Sequence, residues 1–161
     1  MEKIDHDGLL LCEIQAKTFG LSVSVTETSS EIFVRRFMNS KTAKRLDEAT
    51  ILWGNDQPMD LLRSLDREYG QSNYGSVKYS PEEMYWIGYI YRYFAYTYGK
   101  TSVQVYRIIK PKELRELYLP YHTMDPAQAI DRILEAKGID NHSDDSEELR
   151  QFDIFKRIRN I

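Results

Sequence analysis

Histidine, cysteine and carboxylate side chains carry most enzymatic chemistry, and this chain spaces them poorly for it. His6, His122 and His142 lie far apart, and none has a cysteine or a second histidine at metal-ligand spacing. Cys12 is the only thiol. No glycine-rich phosphate loop, nucleophile elbow or H-E-x-x-H stretch occurs. Carboxylates are plentiful, but Asp144, Asp145, Glu147 and Glu148 form a charge run of the kind that water solvates. Asp47 and Glu48 fall on a short polar helix. Neither group reads as the buried, opposed pair that general acid–base work requires. No catalytic residue, metal site or cofactor is expected. The chain reads as one that works by binding.

Two stretches have spacing suited to binding. Ala95, Gly99 and Val105 fall where a helix-turn-helix wants a small residue, a turn glycine and an apolar residue. A recognition helix over TSVQVYRIIK would offer Ser102, Gln104, Arg107 and Lys110 to DNA, with Arg35 and Arg36 as further cations. Against that reading, the net charge of the 161 residues is −3. The other stretch is ELRQFDIFKRIRNI at the C-terminal end. Leu149, Phe152, Phe155 and Ile158 recur at helical spacing and form an apolar stripe that must be buried, either on the protein's own core or, as the partner-binding surface expected here, in a partner's groove or against a sister subunit. DNA is thus the secondary partner expectation, behind a protein partner or a homodimer.

The elements that must position these residues are helical. The organising stretch is Ser80 to Gly99, SPEEMYWIGYIYRYFAYTYG. Ser80 is a good N-cap, Pro81 suits the first helical position, and Glu83 is placed to close a capping box. Gly99 supplies the stop. Nearly every side chain between is apolar or aromatic, which predicts a helix buried all round. A membrane span is rejected, because Arg92 lies mid-segment and the tyrosines recur throughout instead of flanking it. Six tyrosines on one helix cannot all find partners in a dry core, so Tyr89, Tyr93 and Tyr96 are expected at the domain's edge.

Around this helix the punctuation predicts others. A first helix over 7–19 ends at Gly20, with Leu10, Ile14 and Cys12 inward, and LSVSV follows as a short extended connector. A second starts at Thr28 to Ser30 and turns Ile32, Phe33 and Phe37 inward. KTAKRLDEA, the segment after Pro58, SVQVYRIIK, the segment after Pro111 (ended by Pro120) and the segment after Pro126 complete the set. GQSNYGSVKY is the most loop-like stretch. The expected architecture is all-α: a compact helical bundle around the buried aromatic helix 80–99. It divides into a single helical domain over 1–138, an acidic linker over 139–147 and an amphipathic helix over 148–161. The lone cysteine fits a reducing cytoplasm, and the first residues lack a secretory signal pattern.

From about Glu83 to Glu135 the chain resembles a family of small bacterial proteins of unassigned function, encoded beside ADP-ribosyltransferase-like toxin genes. The residues that carry the resemblance are YWIGYIYRYFAYTYG, then TSVQVYRIIK with its Val105-Tyr106 pair, then YLPYHTMDPAQAIDRILE with Tyr121, His122-Thr123 and Ile130 to Ile133. The section containing RRFMNS and the C-terminal stretch are additions to that pattern. The resemblance implies an antitoxin or accessory role: a non-catalytic cytoplasmic protein that neutralises a toxin enzyme. It supplies no catalytic residues.

Overall fold

A computed structural model describes residues 3–139. Among them the regular structure is helical throughout: α1 (His6–Val25), α2 (Ser30–Met38), α3 (Lys41–Asp47), a 3-10 turn (Thr50–Trp53), α4 (Pro58–Tyr69), α5 (Pro81–Tyr98), α6 (Ser102–Ile108), α7 (Pro111–Tyr121) and α8 (Pro126–Ala136). The acidic stretch and the amphipathic stretch that follow Ile139 lie outside the described residues.

The capping chemistry works as the sequence spacing predicts. Ser80 Oγ accepts from Glu83 N at 3.0 Å, and Ser80 N donates to Glu83 Oε1 at 2.9 Å, which satisfies two of the orphan donors that start α5. Gly99 ends the helix at φ 62°, a left-handed position that a side chain would strain. Met84, Ile87, Ile90, Tyr91 and Phe94 are fully buried, and α5 packs against α1, α6, α7 and α8. The buried apolar side chains of all the helices form a single cluster around it.

The first helix corrects two expectations. It does not stop at Gly20, and LSVSV is its last turn and a half, not an extended connector. The reason is its partner. α1 runs antiparallel to α5, and its glycines sit at the seam. A Cβ on Gly20 would lie 3.4 Å from Pro81 O, and one on Gly8 would lie 2.5 Å from Tyr96 Cε1. Opposite them, a Cβ on Gly88 of α5 would lie 2.8 Å from Phe19 Cγ and 3.0 Å from Gln15 O. Gly8 and Gly88 permit close approach between helices, and tertiary packing carries α1 through Gly20 despite the intrinsic penalty of glycine inside a helix. Leu10 is the second correction. Leu11 and Cys12 are buried, whereas Leu10 is 40% exposed because the face toward α5 runs through 11, 12, 15, 16 and 19.

Elsewhere the packing is aromatic and capped. Phe19 meets Phe33 and Phe37 edge-on, with ring centroids 5.3 and 5.0 Å apart. Ser29, not Thr28, caps α2. Pro120 lies inside α7 and does not end it; the helix runs on to Tyr121. The loop after α4 packs as its aromatics suggest: Tyr79 is buried and donates from its hydroxyl to Glu31 Oε1 at 2.7 Å. The Arg115 guanidinium lies 4.2 Å over the Tyr79 ring and 3.1 Å from Glu83 Oε2, which ties α7 to the start of α5.

Candidate functional site

α5 has one face that the bundle leaves partly open. Tyr85, Tyr89 and Tyr93 recur every fourth residue and share that face. Their rings stack in sequence, with centroids 6.5 Å apart for Tyr85 and Tyr89 and 6.3 Å for Tyr89 and Tyr93. Tyr96 continues the row and donates its hydroxyl to Asp5 Oδ1 at 2.6 Å. Burial pushes the Tyr89 phenol up to about 12 and raises Tyr93 as well, while the hydroxyl bond to Asp5 holds that carboxyl below its usual range.

The walls come from neighbouring helices. α1 contributes Lys17, Gly20 and Leu21; α5 contributes Pro81, Glu82, Tyr85 and Trp86; α7 and its cap contribute Tyr118 and His122. Together they line an open, shallow depression of about 630 Å3 at the head of the tyrosine row. Its wall is a run of rings. Trp86 meets Tyr118 edge-on at 6.0 Å, and Tyr118 stacks on His122 at 4.3 Å. His122 Nδ1 is 2.7 Å from Tyr118 O, a carbonyl that can only accept, so this nitrogen carries a proton. The ring is thus oriented by a backbone carbonyl and not by a carboxylate. Lys17 is tied to Glu13 at 2.7 Å. Leu119, 79% exposed, and Leu10 lie on the same two helices and add apolar surface. Aromatic rings with a few polar tips at the surface are the composition of a contact face, since such rings bury large area at low entropic cost.

A second cavity, of about 620 Å3, opens where the ends of α1 and α4 meet the start of α2 and the loop after α4. It is polar, with Glu27, Asp66, Tyr69 and Asn73 in its lining. The protein's own cations already serve the carbonyls there: Arg36 donates to Gly70 O and Lys78 to Thr26 O.

The residues singled out by sequence spacing fare unequally. Leu149, Phe152, Phe155 and Ile158 lie outside the described residues. Ala95 and Val105 are buried and Gly99 is left-handed, so the helix-turn-helix positions pack as that motif wants. Ser102, however, is fully buried and faces the core, which corrects its assignment to a DNA-facing surface. Of the four cations, Lys110 stands 4.2 Å over the Tyr106 ring and Arg35 acts electrostatically on the same tyrosine. Arg107 is exposed on α6, and Arg36 turns away to Gly70 and Tyr69. Tyr89 and Tyr96 sit at the edge as expected, while Tyr93 is more enclosed, at 9% exposure.

No family model, curated protein or solved structure matches the chain. Among the described residues no group of His, Cys, Asp and Glu could hold a metal ion, and no helix is long and apolar enough to cross a membrane.

Sequence spacing missed Trp86, Tyr118, Lys17 and Leu21 as members of the groove. The tyrosines at 85, 89 and 93 were its one local signal, because only their i, i+4 spacing marks a shared face. The contributions of α1 and α7 depend on helix crossing and leave no pattern in the chain.

Proposed function

We propose that this protein works by binding another protein through the tyrosine-lined face of α1, α5 and α7. In keeping with the resemblance over 83–135, the partner is a bacterial toxin enzyme of the ADP-ribosyltransferase-like kind, and binding neutralises it. The observation that carries the reading is the stacked row Tyr85, Tyr89 and Tyr93 leading to the ring-lined depression at Trp86 and Tyr118. Exposed Tyr85 and partly buried Tyr89 on one helix face are suited to a protein interface. The chemistry of neutralisation is steric: a bound helical domain covers the enzyme's cleft or holds it in an inactive shape.

The test is co-expression with an ADP-ribosyltransferase-like toxin enzyme. The two proteins should co-purify and growth should be restored, and the double variant Tyr85→Ala/Tyr89→Ala should lose both effects while keeping its helical circular dichroism. A complex that forms equally well with the double variant removes the groove from the mechanism.

A second reading, DNA binding through α2 and α6, is favoured by the convergence of Arg35 and Lys110 on Tyr106. It predicts salt-dependent binding that weakens when Arg35 and Lys110 are replaced by alanine.

A further inference from the structure

The cavity at the junction of α1, α2 and α4 shares no residue with the tyrosine row, and the protein-binding reading gives it no role. Its volume, about 620 Å3, falls in the range of small-molecule sites, about 300–1,000 Å3. The loop after α4 is stapled around it. Tyr74 O accepts from Ser29 N at 2.9 Å and from Thr28 Oγ1 at 3.2 Å, and Val77 O accepts from Ser30 N at 3.1 Å. Within the loop, Tyr74 N donates to Ser72 Oγ at 3.1 Å. A Cβ on Gly75, at φ 74°, would lie 2.7 Å from Ser29 Cβ, so glycine is what lets the loop approach α2 this closely. A wall fixed by its own hydrogen bonds takes a ligand at little ordering cost.

The lining sets the ligand's chemistry. Glu27 and Asp66 bring two negative charges. Arg36 brings a positive one, and Lys78 brings another by donating to Thr26 O in the same wall. These charges balance, so the cavity selects neither an anion nor a cation. What remains is hydrogen bonding of both kinds. Ionised carboxylates only accept, and a guanidinium only donates. Arg36 is held 5.6 Å over the Tyr69 ring, and one of its five N–H groups serves Gly70 O at 3.4 Å. A hydroxyl group does both jobs and can bridge the two. Beside these groups the Tyr74 ring, 70% exposed, offers an apolar face for a second ring to pack on. We propose that this cavity binds a neutral sugar ring, with its hydroxyls donating to Glu27 and Asp66 and accepting from Arg36, and its C–H face on Tyr74. A free monosaccharide and the ribose of a nucleoside share this chemistry. A phosphate on the ligand would set like charge against both carboxylates and weaken binding.

The experiment follows the backbone amide resonances of the full-length chain during titration with methyl glucoside and, separately, with adenosine. One or both should shift the amides of Thr28, Gly70 and Tyr74 with a millimolar or tighter Kd, and added salt should leave that Kd unchanged because the ligand is neutral. A response to methyl glucoside assigns the site to free sugars, and a response to adenosine alone assigns it to nucleosides. In the adenosine arm, dideoxyadenosine, which lacks the ribose hydroxyls, should bind at least about tenfold more weakly, and adenosine monophosphate should also bind more weakly than adenosine. Asp66→Ala keeps the backbone bond from Gly70 N to Asp66 O, so it should weaken the bound ligand at least about tenfold with helical circular dichroism unchanged. Where that variant fails to fold, Glu27→Ala, at an exposed position, gives the same readout. Trp53→Ala, outside the lining, should leave binding unchanged. Silence from both ligands, shifts confined to other residues, dideoxyadenosine binding as well as adenosine, or undiminished binding in both carboxylate variants overturns the proposal. None of these outcomes bears on co-purification with a toxin enzyme, because the cavity and the tyrosine row have no residue in common.

Discussion

Arg92 and Asp47 are separated by 45 residues of chain, yet Arg92 Nη1 lies 2.6 Å from Asp47 Oδ1. The arginine side chain is 1% exposed and the aspartate 13%. Each remaining nitrogen of the guanidinium fork has a partner: Nε donates to Gln15 Oε1 at 2.9 Å and Nη2 to Ser102 Oγ at 2.6 Å. Asp47 in turn accepts from Ser102 N and Oγ. One guanidinium therefore joins α1, α3, α5 and α6. A charge inside an apolar helix is tolerated only when paired and hydrogen-bonded, and every nitrogen of this guanidinium is bonded.

Removing one partner leaves a buried charge without compensation. Asp47→Ala is expected to destabilise the fold by about 3–5 kcal/mol, measured as a lower urea midpoint. Arg92→Met should cost less, because the side chain left behind is apolar and the strandable carboxylate is nearer to water. A double variant that is no worse than Asp47→Ala would show that the two residues act as a pair. Independent, additive losses would contradict this account of the network.

The α1–α5 seam predicts opposite signs for two glycine-to-alanine changes. At Gly88 the new methyl meets Phe19 and a backbone carbonyl of α1 at 2.8 to 3.0 Å. The helices must part, and overpacking of about 1–3 kcal/mol outweighs the gain in helix propensity. At Gly20 the nearest atom is 3.4 Å away, ordinary contact, so Gly20→Ala should stabilise by roughly 0.5 kcal/mol through propensity alone. Thermal melts of the two variants decide the matter, and a stabilised Gly88→Ala would show that the seam is looser than its geometry.

Much of the fold was readable because its signals are local. Ser80, Pro81, Glu83 and Gly99 mark both ends of α5 by themselves, and Asp125 and Pro126 mark the start of α8. The errors came where distant residues decide. Gly20 looked like a stop, but packing of α1 against α5 carries the helix through it. Ser102 looked like a surface residue at the start of a polar helix, but Asp47 and Arg92 draw it inward. Asp47 itself looked like solvated charge on a short polar segment. The candidate groove was half legible: the tyrosine spacing showed a stripe, and nothing in the sequence told which helices would wall it.

Burial raises the tyrosine hydroxyls at several positions, which sets the alkaline limit of the fold. Tyr89 is pushed up to about 12, and Tyr79, Tyr91, Tyr93 and Tyr106 are raised too, each chiefly by burial. A group whose folded pKa exceeds its unfolded value holds its proton longer in the fold. Its contribution is complete below about pH 10, the ordinary tyrosine value, and is lost as pH climbs through the folded value. Phenolate absorbance should therefore lag behind that of free tyrosine above pH 10 and then rise together with loss of helical dichroism. Tyr89→Phe should move that unfolding to higher pH. Ionisation of all twelve tyrosines at the free value, with helicity intact, would contradict the burial of Tyr79, Tyr91 and Tyr93.

Cys12 gives the most direct readout of core integrity. It is fully buried, and burial pushes its thiol up to about 12 despite the opposing positive charge of Arg92. Only the thiolate attacks a disulfide reagent, and at about pH 8 neither ionisation nor access favours it. The native protein should leave an aromatic disulfide reagent unreacted, and one thiol should titrate in urea. In the native state any labelling should proceed at the rate of opening between α1 and α5, because Cys12 lies on the α1 face that packs against α5. Gly88→Ala parts the same two helices and should accelerate it, whereas Gly20→Ala should slow it. Rapid labelling of the unmodified chain, with no dependence on either glycine, would place Cys12 outside the seam and take the α1–α5 packing with it.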